Sequence, residues 1–269
     1  MVKGRTMNKK NRLAIVSLCS LMVAWSCTGE KKESPSKKSS SPPPTQAVKE
    51  IEEYQSMNVP DGGTISGKVL FTGDWKPVAI PVTKDQQVCG RTQKDPSLVL
   101  DGQGGVRSAL VRITDIRKGK SMGRMQPVLN QKGCEFRPHM LVFPVGTTLE
   151  IRNSDGILHN VHSFSKKNTP FNKAQPKFRK KITHTFTKPE IVSIKCDVHS
   201  WMSGWLVVSD HPYYDVTSEG GGFELANVPP GKYTVEIWHE RLGKQTKSVS
   251  VEPGGHVRLN FQVSQLRSP

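Results

Sequence analysis

Three side chains able to bind a soft metal stand within one short stretch. Cys196-Asp197-Val198-His199-Ser200-Trp201-Met202 carries a thiol, an imidazole and a thioether at Cys-x2-His-x2-Met spacing. Upstream, the run Asn153-Ser154-Asp155-Gly156-Ile157-Leu158-His159-Asn160 offers a second imidazole. Two imidazoles and one thiolate in a trigonal plane, with a long axial thioether, form the ligand set of a blue-copper electron-transfer site. His159, Cys196, His199 and Met202 are therefore the candidate ligands of one copper ion. Taken singly, each has an ordinary use, Met202 in a core and His159 at a strand end. Their joint occurrence is what points to copper. His162 lies three residues beyond His159, so on a strand it faces the other side and is not counted as a ligand. Asn160 is a candidate brace for the ligand loop, since outer partners fix ligand orientation.

The flanking residues supply elements that could hold such a set. Glu190 to Cys196 reads as a strand in which Val192, Ile194 and Cys196 fall at period two, which turns the sulfur toward a core. Ser203-Gly204 leads into Trp205-Leu206-Val207-Val208, a second short apolar strand. His199 and Met202 thus sit on a tight connection between two strands. Other strands are expected over Thr64–Phe71, Ala109–Ile113, Met140–Pro144 and Thr147–Arg152, the last two as a pair about Val145-Gly146. Tyr233, Val235 and Ile237 alternate, as do Val257, Leu259, Phe261 and Val263. With 23 Gly, 19 Pro and 7% aromatic residues in 269, the composition suits a turn-rich all-β protein of one or two domains. After the N-terminus no apolar run reaches transmembrane length.

From about Gly62 to Val263 the chain resembles a bacterial cupredoxin family, plastocyanin-like or methylamine-utilisation-like. In that family a carboxypeptidase-regulatory-like β-domain follows the copper domain. The resemblance rests on Lys132-Gly133-Cys134-Glu135-Phe136-Arg137-Pro138-His139, on Asn153-Ser154-Asp155 with Leu158-His159-Asn160-Val161-His162, and on Cys196-Asp197-Val198-His199 with Trp201-Met202-Ser203. Downstream it rests on Asp210-His211-Pro212-Tyr213-Tyr214, Val228-Pro229-Pro230-Gly231-Lys232-Tyr233-Thr234 and Ile237-Trp238-His239-Glu240. Ser200 departs from the family, which usually has Pro there. The resemblance implies a Greek-key cupredoxin β-sandwich over residues 62–210 with one type 1 copper. A small prealbumin-like β-sandwich over 211–269 would follow it.

The N-terminus reads as an export signal over residues 1–27. Lys9, Lys10 and Arg12 precede an apolar run from Leu13 to Trp25 that is too short and too bounded for a membrane span. Ala24-Trp25-Ser26-Cys27 reads as a lipoprotein cleavage site, with Cys27 the lipidated residue. Residues 28–61, with Ser, Lys and Pro runs through Pro44, read as a disordered tether. These readings place the protein in the periplasm or on the outer face of the cell envelope, anchored to a membrane by lipid.

The thiol count bears on copper. Beyond Cys19 and Cys27, the chain keeps Cys89, Cys134 and Cys196, and exported proteins tend to pair thiols. If Cys89 joins Cys134, Cys196 remains free, as a ligand must be. A Cys134–Cys196 bridge would remove the site. The first pairing is the expectation, because the motif gives Cys196 another use.

Charge suggests a partner. The chain carries a net +16. Between Gly156 and Pro189 there is no acidic residue, while Lys166, Lys167, Lys173, Lys177, Arg179, Lys180, Lys181 and Lys188 are present. This segment is expected to loop near the copper end. Lys177, Lys180 and Lys181 are then candidate docking residues for an acidic redox partner or anionic lipid. The same run could equally be a solvated loop. Nucleic acid is not the expected partner, because an exported protein rarely meets it and the nearby Phe residues form no stacking platform. An enzyme is not expected either, since there is no His-Glu-x-x-His set and no second cluster of His. The expectation is a monomeric single-electron carrier. Its rival is a non-redox surface or copper-carrying lipoprotein whose C-terminal β-domain binds a partner or glycan.

Overall fold

A computed structural model describes residues 53–265. The expected export signal, the expected lipidation at Cys27 and the expected tether as far as residue 52 lie outside these residues. The described chain is all-β, with two β-sandwiches and one short helix, Gln86–Cys89. Among the described residues no helix is long and apolar enough to cross a membrane.

The first sandwich contains the candidate ligands. One sheet runs in the order Lys181–Thr185, Thr148–Asn153, Val128–Gln131, Phe136–Arg137. The other runs Asn172–Gln175, His159–Phe164, Glu190–Lys195, Ser203–Ser209, Met140–Pro144. Alternation along the strands decides which faces meet. Leu149 and Ile151 from one sheet, and Val161, Val192, Ile194 and Leu206 from the other, are fully buried in one core with Phe143 and Phe186. Each such aliphatic side chain stabilises the fold by roughly 1.5–3 kcal/mol. Met140–Pro144 and Thr148–Asn153 do not pair with each other. The turn at Val145-Gly146 carries the chain from one sheet to the other, so the two strands face across the core.

The second sandwich is built from both ends of the described chain. Tyr214–Val216, Leu110–Ile113, Gly231–His239 and Gly243–Val251 form one sheet, and Gly222–Val228, Gly63–Phe71 and His256–Arg258 the other. Phe261–Val263 also pairs with Gly63–Phe71. Their core holds Ile65, Val69, Val111, Ile113, Val235, Ile237 and Phe261 around the fully buried Tyr213. The Tyr213 hydroxyl donates to Asn227 O at 2.9 Å and accepts the Lys120 N–H at 2.7 Å, so this buried polar group is satisfied.

The two cores therefore do not divide at residue 210, as the sequence suggests. Strands Gly63–Phe71 and Leu110–Ile113 pair with strands from beyond Tyr213, and the first sandwich is inserted between them. A stretch beginning at 211 is of a size at which a separate core is only marginal, and alternation reveals a strand's buried face without revealing its partner. Regular structure is also present before Gly62, where a tether is expected. Gln55–Ser56 pairs with Lys118–Gly119, and the Tyr54 ring packs 6.4 Å from that of Tyr213. The sandwiches meet through Leu110, Met140, Val142 and Val207, with the Trp205 and Trp238 rings edge to face at 4.8 Å. A His139–Glu240 hydrogen bond joins them beside this patch.

Candidate metal centre

His159 opens its strand at the sheet end, with Gln175 opposite. Cys196 follows the last residue of Glu190–Lys195, and Ser203 begins the return strand. The connection is closed by two backbone bonds, Cys196 N–H to Met202 O at 3.1 Å and Met202 N–H to His199 O at 2.9 Å. This tight loop brings the Cys196 thiol and the His199 imidazole together beside His159. The Nδ1 atoms of His159 and His199 lie 2.9 Å apart, and Cys196 Sγ is 3.7 Å from His199 Nδ1. His159 and His199 are fully buried, Cys196 and Met202 nearly so, and Met202 shares the core cluster of Cys196 and Trp201. His159, Cys196 and His199 form a group whose ligand atoms all lie within 4.8 Å of one another.

Both rings turn Nδ1 inward because Nε2 is engaged outside. His159 Nε2 lies 2.9 Å from Asp155 Oδ2, and His199 Nε2 lies 3.0 Å from Asp85 Oδ2. Asp155 is itself fixed. Its carboxylate accepts the Gly133 N–H at 2.6 Å and the Cys134 N–H at 2.8 Å, from two successive residues in left-handed backbone conformation. Asn153 shapes the intervening turn by donating to Ile157 O and Gln175 O, both at 2.8 Å.

The electrostatics follow from this packing. Burial disfavours the His159 imidazolium, but Asp155 and the Cys196 thiolate together outweigh it and raise its pKa to about 9. Burial likewise opposes the Cys196 thiolate. A hydrogen bond with His159 and backbone N–H groups of Asn160, His199 and Val198 outweigh that, so the thiol titrates below its ordinary value. At His199 burial dominates, and the pKa falls despite Asp85. The result is a thiolate, two carboxylate-backed imidazoles and a thioether, shut from water. With the His159 Nδ1 proton displaced by metal, two Nδ1 atoms and a thiolate at such close range would suit a soft cation, and the donor set fits copper.

The other sequence candidates are also placed. Cys89 and Cys134 are joined in a disulfide, S–S 2.02 Å, and Cys196 is a free, buried cysteine. Asn160 Oδ1 accepts the Asp197 N–H at 2.6 Å, and its Nδ2 reaches Asp197 Oδ2 at 3.0 Å, which ties the residue after Cys196 to the His159 strand. His162 points away from the cluster and pairs with Asp197 at 3.1 Å. The Trp201 indole donates to Cys134 O at 3.2 Å and walls the site, its ring 5.1 Å from that of His199. The acid-free segment is not a single loop but holds three strands. The turn after Gln175 is tied back by the Asn153 N–H to Lys180 O bond at 3.0 Å. Lys177 and Lys180 are thus exposed at the His159 end, with Phe178 exposed between them, and Leu158, the residue before His159, is exposed as well. Lys181 starts the next strand and pairs with Glu150 at 3.0 Å, so its charge is already matched.

Two residues at the centre escape the sequence reading. Asp155 stands four positions before His159, a spacing at which a short turn can return a carboxylate to the ring. Asp85 lies 114 positions from His199, and no local pattern signals it.

No protein-family model matches the chain, and no curated protein does. Solved structures with similar segments include a copper-containing nitrite reductase from Thermus scotoductus, at 26% identity and a TM-score of 0.30. That match covers 35% of this chain and 24% of the reductase, so the shared segment is about a quarter of that protein. A purple cupredoxin from Nitrosopumilus maritimus is 23% identical with a TM-score of 0.28, over 31% of this chain and all of its own. An amicyanin variant in its Cu(I) form is 21% identical with a TM-score of 0.29, over 33% of this chain and 87% of its own. Likenesses at this level assign no role to any residue here.

Proposed function

We propose that this chain is a type 1 copper protein that carries single electrons between partners, exported and held at a membrane by lipid on Cys27. It acts on no substrate of its own and works as a monomer. The observation that carries this reading is the convergence of His159 Nδ1, His199 Nδ1 and Cys196 Sγ at one buried point, with Met202 buried beside them. Copper, when bound, supplies a one-electron couple. The protein's part is rigidity. Cys196 is fixed by its strand, His199 and Met202 by the closed loop, and each imidazole by a carboxylate on its outer nitrogen. Full burial excludes water, so little has to move when charge changes. Thiolate and thioether favour the reduced ion, and the imidazoles accept the oxidised one. Protein loaded with one equivalent of Cu(II) should turn blue, bleach with ascorbate and regain its colour with ferricyanide over repeated cycles. Loss of colour or metal after the first cycle would remove the electron-carrier reading.

An acidic redox partner suits the His159 end. Lys177 and Lys180 stand there without an acidic neighbour in the segment, on either side of the exposed Phe178. Charges so placed raise association rates and are screened beyond about 10 Å at 0.1 M salt. Replacing Lys177 and Lys180 by Gln should slow transfer to an acidic acceptor at low salt and flatten its salt dependence, with the copper spectrum unchanged. Stopped-flow rates over a salt series check this, and equal slopes for both proteins would mean the turn is only a solvated surface.

A further inference from the structure

The segment 79–95 has no metal ligand, yet it reaches the metal centre. Ala79–Pro81 and Thr92–Lys94 pair as a small hairpin, with the helix Gln86–Cys89 between them. Three anchors hold it to the first sandwich. Val82 is buried in the core that contains Cys196. Cys89 is bonded to Cys134. Gln93 Nε2 donates to Gly133 O at 3.2 Å, in the same turn that fixes Asp155.

Asp85 is the residue this strap presents to the site. It occupies the N-cap of Gln86–Cys89, where an Asp side chain ordinarily accepts a helix N–H. Here the carboxylate makes no capping bond. It turns instead to His199, with Oδ2 3.0 Å from Nε2. Its backbone is left-handed, φ 50°, a conformation uncommon outside glycine and found where surrounding structure enforces it. Among the described residues, His199 is the only hydrogen-bond partner of the carboxylate. A helix-capping side chain has thus been given up to hold an imidazole 114 positions away.

We infer that residues 79–95 form a covalently anchored strap whose Asp85 is a positioning residue for the metal centre. It accepts the Nε2 proton of His199, which leaves the Nδ1 lone pair for metal, and it shuts the ring's outer edge from solvent. It also sets a fixed negative charge beside one ligand, as Asp155 does beside the other. The two imidazoles are held alike, although only Asp155 comes from a turn between strands of the ligands' own sandwich.

This inference rests on the copper reading, and the experiment separates the two. Cu(II) alone is the probe, with the full mature chain and its Asp85→Ala and Asp85→Asn variants. Affinity is measured by competition with a chelator, and reduction potential by redox titration. Outer partners of ligand histidines typically change metal affinity about 10–100-fold. Asp85→Ala should therefore lose at least tenfold in Cu(II) affinity and shift to a higher potential, because a charge that favours the oxidised ion is gone. Asp85→Asn keeps the shape and an acceptor oxygen without the charge. It should recover most of the affinity and retain the higher potential, a split that a merely structural role would not produce. Parent affinity and parent potential in both variants would overturn the strap's role while leaving the copper reading in place. No copper in the parent would overturn both.

Discussion

Replacing Cys89 and Cys134 together by Ala is expected to cost about 4 kcal/mol of stability, the chain-entropy value for closing a loop of 45 residues. Both residues must change, because a single replacement leaves a thiol able to pair with Cys196. The cost arises chiefly in the unfolded chain, which is no longer restricted. For a described region of this size it should lower the melting temperature by roughly 8–16 °C. The local consequence is separate. Without the bond the strap keeps only Val82, Gln93 and its hairpin pairing, so Asp85 is held less firmly against His199. Copper affinity should fall in the same direction as in Asp85→Ala. Thermal denaturation with and without copper checks both parts. An unchanged melting temperature would show that packing alone fixes the strap.

The ligand loop was legible in the sequence because its chemistry is local. Cys196, His199 and Met202 lie on one connection, and strand periodicity fixes the direction of the sulfur before any fold is known. His159 was legible as a strand-end imidazole with a turn before it. What the sequence withheld is long-range. Asp85 belongs to a segment whose own pattern is a short helix cap, and its link to His199 exists only after the disulfide and the core around Val82 have formed. The allocation of strands failed for a related reason. Gly63–Phe71 has the apolar alternation of any half-buried strand, with Ile65, Val69 and Phe71 facing inward. Alternation names the buried face and leaves the partner open, so the sequence alone groups this strand with its chain neighbours. In the basic run, charge hides period two, so its strands are not visible in the sequence. Lys173 and Lys181 lie on strands whose other face is not strongly apolar.

Replacing Cys196 by Ser is expected to have the largest effect of all. The hydroxyl is smaller than the thiol and fits the same buried position, so the sandwich should keep its fold. The chemistry does not survive. An intense visible band at such a centre is charge transfer from a thiolate to Cu(II), and an alkoxide-free hydroxyl has no comparable donor orbital. His159 also loses the negative neighbour that, with Asp155, supports its raised pKa. Two buried imidazoles and a thioether would remain, a weaker set for either oxidation state. The decisive measurement is the visible and paramagnetic-resonance spectrum of the mature chain and of Cys196→Ser, each titrated with Cu(II). The copper account requires an intense band that saturates at one equivalent in the parent and is absent from the variant. A band of equal intensity in Cys196→Ser, or no band in the parent at any ratio, would contradict it.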